Sequence, residues 1–265
     1  MKKWTATRIQ ASKGRAKIAC LTAADVAVAR LLDDAGVPLI LVGDSLGMTT
    51  LGYETTLPVT IEDMVHHSAA VVRGVKQALV IADMPFMSYQ VSPAQALKNA
   101  GRLVQEAGAD GVKIEGGTIR SRTVARLVSN GIPVLGHLGV TPQSVRAMGG
   151  YKVQGRKPDE AKILLADAQA LEAAGVFAIV LECIPEELAR EITDSVGVPT
   201  IGIGAGRYCD GQILVTSDLL GIDSGVSTTF TKRYADLENA MKQAFRAYVS
   251  DVDTGAFPAQ EHTFR

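Results

Sequence analysis

Leu39-Ile40-Leu41-Val42-Gly43-Asp44-Ser45-Leu46-Gly47 is an apolar run that breaks off on a glycine, a carboxylate and a hydroxyl. A short apolar run rich in Val and Ile, bounded by turn residues, reads as a buried strand. Asp44 and Ser45 then sit just past its carboxyl end. In parallel α/β folds helices cover the faces of the sheet, so the strand ends form the open crevice where ligands bind. That position predicts a divalent metal on Asp44 and a substrate carboxylate on Ser45.

The same unit recurs in both directions: an amphipathic helical stretch, a small residue or Asn before glycine, then a short apolar strand. Its joints are Ala35-Gly36, Ala107-Gly108, Asn130-Gly131, Ala174-Gly175 and Val196-Gly197. Glycine suits the left-handed position that closes a helix. Ser92-Pro93, Thr141-Pro142 and Ile184-Pro185 mark helix starts, where proline's missing N–H costs nothing. Strands are expected at 17–22, 38–43, 78–83, 111–115, 133–137, 177–182, 199–203 and 212–216. Eight strands alternating with helices predict an α/β fold, a (β/α)8 TIM barrel, whereas six or seven would allow an open doubly wound sheet. The stretch 46–62 is long for a strand-to-helix loop and is expected to wall the site. A helix over 232–249 and a polar tail complete one domain spanning 1–265.

Bulk properties narrow the partners. Hydrophobic residues at 47% supply a core, and a formal net charge of −1 removes the electrostatic reason to expect nucleic acid or an anionic membrane. Small molecules become the expected ligands. Three unpaired cysteines, Cys20, Cys183 and Cys209, fit buried thiols in a reducing compartment. No apolar run is long enough to span a bilayer, and the start lacks a secretory apolar region. The first 24 residues carry six basic and no acidic side chains, as a transit segment would, but the strand at 17–22 already lies inside them. A cytoplasmic enzyme is the expectation.

What ends each strand is more informative: Asp44-Ser45, Asp83, Lys113 with Glu115, His137, Glu182, and the glycine-rich 202–206. Lys113 and Glu115, two apart on a strand, share a face opposite Val112 and Ile114. The apolar pair should face the helices, so Lys113 and Glu115 point inward. Carboxylates crowded without enough cations raise one another's pKa, and a bound hard cation such as Mg²⁺ relieves them. Mg²⁺ chelated by an α-keto acid stabilises the enolate left when the neighbouring carbon loses a proton. Glu182, the unassigned carboxylate, is the candidate base. His137 either polarises a substrate oxygen or is a packed, hydrogen-bonded histidine. A strand-end acid on its own is ordinarily a helix cap or ion-pair partner, and His66 and His67 sit mid-helix in solvated or packing roles. The stretch 202–206 fails the dinucleotide fingerprint and reads as close backbone packing. Lys113 as a Schiff-base lysine is a competing enzyme reading.

These residues resemble the ketopantoate (3-methyl-2-oxobutanoate) hydroxymethyltransferase family over nearly the whole chain. The resemblance is carried by Val-Gly-Asp-Ser-Leu-Gly-Met at 42–48, Thr-Leu-Pro-Val-Thr at 56–60, Ala-Asp-Met-Pro-Phe-Met at 82–87 and Val-Lys-Ile-Glu-Gly-Gly at 112–117. It continues through Gly-His-Leu-Gly-Val-Thr-Pro-Gln-Ser at 136–144, Gly-Gly-Tyr-Lys-Val-Gln-Gly-Arg at 149–156, Leu-Glu-Cys-Ile-Pro at 181–185, Ile-Gly-Ile-Gly-Ala-Gly at 201–206 and Asp-Gly-Gln-Ile-Leu-Val at 210–215. It implies a (β/α)8 barrel enzyme of pantothenate synthesis that moves a one-carbon unit from 5,10-methylenetetrahydrofolate to 3-methyl-2-oxobutanoate, giving 2-dehydropantoate and tetrahydrofolate. It further implies Mg²⁺ on Asp44, Asp83 and Glu115, keto acid held by Asp44, Ser45, Asp83 and Lys113, Glu182 as proton acceptor, and a homo-oligomer, commonly a decamer. Folate is expected along the rim, near 46–62 or 202–207. The alternative is a metal-dependent C–C lyase or mutase of the phosphoenolpyruvate-handling barrels, which uses the same enolate logic without folate; a barrel without activity, serving as a scaffold, is the non-enzyme alternative.

Overall fold

The computed structural model describes residues 3–222 and 229–264. They fall into two compact units, Met1–Leu214 and Val215–Arg265.

In the first unit, eight parallel strands close into a barrel in chain order: β1 Ile18–Thr22, β2 Leu39–Val42, β3 Leu79–Asp83, β4 Gly111–Glu115, β5 Val134–Gly139, β6 Ala178–Glu182, β7 Thr200–Ile203 and β8 Gly211–Leu214. Helices stand between them, chiefly α2 Val26–Asp34, α4 Ile61–Gly74, α5 Pro93–Gln105, α6 Ser121–Val128, α8 Pro158–Ala173 and α9 Glu186–Ser195, with short α1 Ala6–Gln10, α3 Leu46–Thr49 and α7 Val145–Met148. This is the expected (β/α)8 TIM barrel.

Strand alternation separates two cores. Ile18, Leu39, Leu41, Leu79, Ile81, Leu135 and Ile201 cluster inside the barrel. Ile40, Val80, Val112, Ile114, Ile179 and Leu181 pack outward against helix residues such as Val71, Leu103, Leu127 and Leu188. Near the amino ends of the strands, Ile9 of α1 joins the inner cluster, with Trp4 packed against it. Asp210, preceding β8, takes the Lys13 ammonium at 2.8 Å and the Thr200 N–H at 2.9 Å, tying that end together.

Helix starts follow the sequence signals. Ser92 accepts from Gln95 N–H with Pro93 in the first turn, and Thr60 and Asp63 form a reciprocal capping box on α4. Four of the five joint glycines are left-handed, with φ of +82° at Gly36, +77° at Gly108, +81° at Gly131 and +97° at Gly175. Gly197 is the exception, because α9 leaves through Val196 in an extended conformation.

Two strands differ from the expectation by more than one residue at an end. β8 begins at Gly211, opposite Ile18, and ends at Leu214 because Val215 already caps a helix, α10 Thr216–Leu220. β5 runs on to Gly139 because Leu138 and Gly139 pair with Leu181 and Glu182. The stretch 46–62 contains α3 and reaches α4 through a loop in which Val59 and Thr56 are buried.

In the second unit, α10 ends on left-handed Gly221, and α11 spans Leu237–Thr254 up to left-handed Gly255. The expected helix lies about five residues further along: Asp236, whose carboxylate takes the Asn239 side-chain N–H at 2.7 Å, marks its start, and Gly255 its stop. Among the described residues no helix is long and apolar enough to cross a membrane.

Candidate active site

Parallel register decides which side chains meet. β3 and β4 pair Asp83 with Lys113, and β4 and β5 pair Glu115 with His137. Each couple therefore leaves the sheet on one face at one height. With Val112 and Ile114 in the outer core, Lys113 and Glu115 point into the barrel mouth.

There the Lys113 ammonium pairs with Asp83 Oδ1. Asp83 Oδ2 accepts the backbone N–H of Asp44 at 3.0 Å, which joins the ends of β2 and β3. A Cβ added to Gly43 would lie 2.9 Å from Ser45 Oγ and 3.5 Å from Asp83 Oδ2, so the Ser45 hydroxyl occupies the space beside that carboxylate. The His137 ring stands between two acids, Nδ1 3.4 Å from Glu115 Oε1 and Nε2 3.1 Å from Glu182 Oε2. Asp44, Asp83, Lys113, Glu115 and His137 are all buried, whereas the Glu182 side chain is 19% exposed. Glu182 is thus the carboxylate of the group that reaches the open mouth. Asp44, Ser45, Asp83, Lys113, Glu115, His137 and Glu182, all singled out from the sequence, converge on one rim.

Two residues at the centre of the site escaped the sequence reading. Gln143 donates through its side-chain amide to Asp44 Oδ2 at 2.8 Å and through its backbone N–H to Glu115 Oε2 at 3.1 Å. The Tyr89 hydroxyl donates to Gln143 Oε1 at 2.7 Å. Gln143 lies in the quoted stretch 136–144, just after the proline that opens a helical turn, and that proline was the only available signal.

Electrostatics follow from the crowding. Burial, then the negative charges of Asp83 and Glu115, push the Asp44 carboxyl well above the usual range against the pull of Lys113 and Gln143. Burial would lower Lys113, but Asp83, Glu115 and Asp44 outweigh it and hold the ammonium above its ordinary value. Burial and Lys113 likewise oppose charge on His137, yet the carboxylates of Glu115 and Glu182 push it up to about 9. The mouth therefore holds four carboxyl groups against two cations, and a proton or a metal ion must make up part of the difference.

The chain turns sharply around this group. Met87, after β3, and Cys183, directly after Glu182, are non-glycine residues in the left-handed region, with φ of +64° and +48°. Such strained conformations concentrate at functional sites. At Gly139, φ is +96° and a Cβ would stand 2.1 Å from the Glu182 carbonyl oxygen, so only glycine permits that approach.

Among the described residues, no three His, Cys, Asp or Glu side chains form a ready-made cage for an ion. The Asp44–Asp83 pair is close, and Glu115 stands across Gln143 from Asp44. This set fits a hard cation that takes one or two carboxylates and keeps positions for water and substrate oxygens. One observation supports the fit: the buried Glu115 Oε1 makes no hydrogen bond among the described residues, its near neighbour being the His137 ring at 3.4 Å.

Comparison with known proteins bears on the fold and the family. Among solved structures the fold is similar to phosphoenolpyruvate phosphomutase from Streptomyces platensis subsp. rosaceus, with a TM-score of 0.65 and 14% identity over 98% of this chain and 92% of that one. It is similar as well to phosphonopyruvate hydrolase in complex with oxalate and Mg²⁺, with a TM-score of 0.61 and 14% identity over 99% and 93%. At those identities the likeness is one of fold. In sequence, the chain is 56% identical over 248 residues to 3-methyl-2-oxobutanoate hydroxymethyltransferase of Thermoanaerobacter sp. (strain X514), covering 94% of this chain and 90% of the relative. It is 52% identical to the protein of that name from Clostridium acetobutylicum, covering 100% and 96%. The family model described as ketopantoate hydroxymethyltransferase matches residues 3–260. With a match of that extent, the chain belongs to the ketopantoate hydroxymethyltransferase family, enzymes of the one-carbon transferase class.

Proposed function

We propose that this site transfers a one-carbon unit from 5,10-methylenetetrahydrofolate to 3-methyl-2-oxobutanoate, giving 2-dehydropantoate and tetrahydrofolate in a Mg²⁺-dependent reaction. Asp44 and Asp83 hold the metal, with Glu115 completing its surroundings, and Mg²⁺ bound there supplies Lewis-acid stabilisation of the enolate. Ser45 and the Lys113 ammonium grip the keto acid, with Asp44 and Asp83 flanking it. Glu182, the partly exposed carboxylate, takes the proton from the branched carbon. His137, an imidazolium between Glu115 and Glu182, orients the Glu182 carboxylate and faces the substrate oxygens. The branched carbon then becomes quaternary by bonding to the methylene carbon as one of the latter's two C–N bonds breaks. Water displaces the second folate nitrogen to give the product hydroxyl, and the protons lost by the branched carbon and by water end on the two folate nitrogens.

The observation that carries this reading is the arrangement itself: a buried carboxylate pair beside an ammonium, with one solvent-reaching carboxylate facing it from β6. Half-exposed Tyr53, Phe86 and Tyr151 offer ring surface around the strand-end loops against which folate can lie. A cytoplasmic homo-oligomer, a decamer, belongs to the same reading, and the exposed apolar face of α11 with Phe245, Tyr248 and Val252 supports association.

The test is an assay for 2-dehydropantoate with and without methylenetetrahydrofolate and Mg²⁺. Product formed only when both are present supports the proposal. Turnover of a keto acid without folate would favour a lyase or mutase, the activity class of the structural neighbours.

A further inference from the structure

Gln143 is 5% exposed, and both ends of its side-chain amide are engaged. Nε2 donates to Asp44 Oδ2 at 2.8 Å and to the Met84 carbonyl at 2.9 Å, while Oε1 accepts from the Tyr89 hydroxyl at 2.7 Å and from Gln90 Nε2 at 3.1 Å. Its backbone N–H meanwhile holds Glu115 Oε2 at 3.1 Å. One residue thus reaches a carboxylate beyond β2 and another at the end of β4.

Tyr89 decides which way that amide faces. Its oxygen, 1% exposed as a residue, accepts the backbone N–H of Glu115 at 3.3 Å. Of the two acceptors within reach of its hydrogen, Gln143 Oε1 at 2.7 Å is much nearer than the Glu115 carbonyl at 3.5 Å, so the hydroxyl points at Gln143. A hydrogen-bond donor on that side requires Oε1 there and the NH₂ group on the side of Asp44 and Met84. An inverted amide would set its oxygen against the Asp44 carboxylate and the Met84 carbonyl, two acceptors with no hydrogen to offer when Asp44 is ionised.

We infer that Gln143, oriented by Tyr89, is a positioning residue for the metal: it holds one oxygen of Asp44, leaves the other for the cation, and keeps Glu115 from swinging onto Asp44. This rests on the metal reading given above. Groups that hydrogen-bond to metal ligands ordinarily set the affinity of a site, and their loss costs about 10- to 100-fold in metal affinity or activity. Gln143 acts through Asp44 and Glu115.

Manganese provides a direct readout, because free Mn²⁺ is measured by electron paramagnetic resonance without any turnover. Gln143→Leu is close in volume and removes the donor, and Tyr89→Phe removes the hydroxyl that orients the amide, together with the acceptor of the Glu115 backbone N–H. The expected result is an Mn²⁺ dissociation constant raised about 10- to 100-fold in Gln143→Leu, and raised by a smaller factor in Tyr89→Phe. Saturating metal should restore kcat more completely than the KM for the keto acid. A merely structural role would lower the unfolding midpoint and leave the dissociation constant of the folded protein unchanged. If Gln143→Leu does not fold, Tyr89→Phe decides. Both folded variants binding Mn²⁺ within twofold of wild type would overturn the inference alone; a wild-type protein that binds no Mn²⁺ would overturn the metal reading and the inference together.

Discussion

His137 Nε2 and Glu182 Oε2 stand 3.1 Å apart across the seam between β5 and β6, a buried ring against a carboxylate that is 19% exposed. In the proposed reaction the ring lies against one oxygen of Glu182 and the other takes the substrate proton. We therefore expect Glu182→Gln to bind 3-methyl-2-oxobutanoate with near wild-type affinity but to lose most deuterium exchange at the branched carbon, with kcat lowered about 10²- to 10⁴-fold. Proton NMR of the keto acid in heavy water reads the exchange directly. Undiminished exchange would move the base elsewhere.

Lys113 lies in ion-pair contact with Asp83, and the surrounding carboxylates hold it above its ordinary pKa. An amine kept protonated cannot attack a carbonyl, so the Schiff-base reading of this lysine loses its nucleophile. Chelation by EDTA should abolish turnover, and borohydride with the keto acid should leave the mass of the protein unchanged. A trapped adduct at Lys113 together with EDTA-resistant activity would reverse both assignments.

Much of this site was legible because a strand carries its own ruler. In Val112-Lys113-Ile114-Glu115 the alternation separates the helix-facing pair from the mouth-facing pair, and the outer core contains Val112 and Ile114 as that alternation requires. Gln143 follows no such period. A polar residue one place after a helix-opening proline resembles a solvated first turn, and its partners Glu115 and Asp44 are 28 and 99 residues away. Nothing local announces contacts of that kind. The limits of α11 were missed for a related reason: residues 232–249 contain apolar positions at helical spacing, but the boundary is set by Asp236 and by the left-handed turn at Gly255.

Gly139 couples the barrel wall to the site. With φ at +96° and the Glu182 carbonyl oxygen 2.1 Å from where a Cβ would be, Gly139→Ala must push β5 away from β6. We expect a loss of about 2–4 kcal/mol in unfolding free energy, at the upper end for single substitutions, and a fall in kcat as Glu182 shifts relative to His137. Chemical denaturation and steady-state assays measure the two. A variant as stable and active as wild type would contradict the close approach.

Asp33, near the end of α2 and bonded to the chain just before β3, offers a pH test of the scaffold. Burial would raise its carboxyl, but backbone N–H groups outweigh burial and lower it; Ala78 and Lys76 donate to it at 2.7 and 2.9 Å, and Gln77 at 3.0 Å, where the chain enters β3. A folded-state pKa below the unfolded value of about 3.9 means stability that is present above that value and is lost as pH falls through the folded pKa. Asp33→Asn should be less stable than wild type by about 2 kcal/mol at pH 7, since charged acceptors of this kind contribute roughly 1.5–3 kcal/mol. The gap should close as pH is lowered from 5 toward 2, because the wild-type carboxyl then becomes neutral too. Urea midpoints for the two proteins across that range give the answer, and a gap of constant size down to pH 2 would show that the carboxylate's charge is not what holds the start of β3.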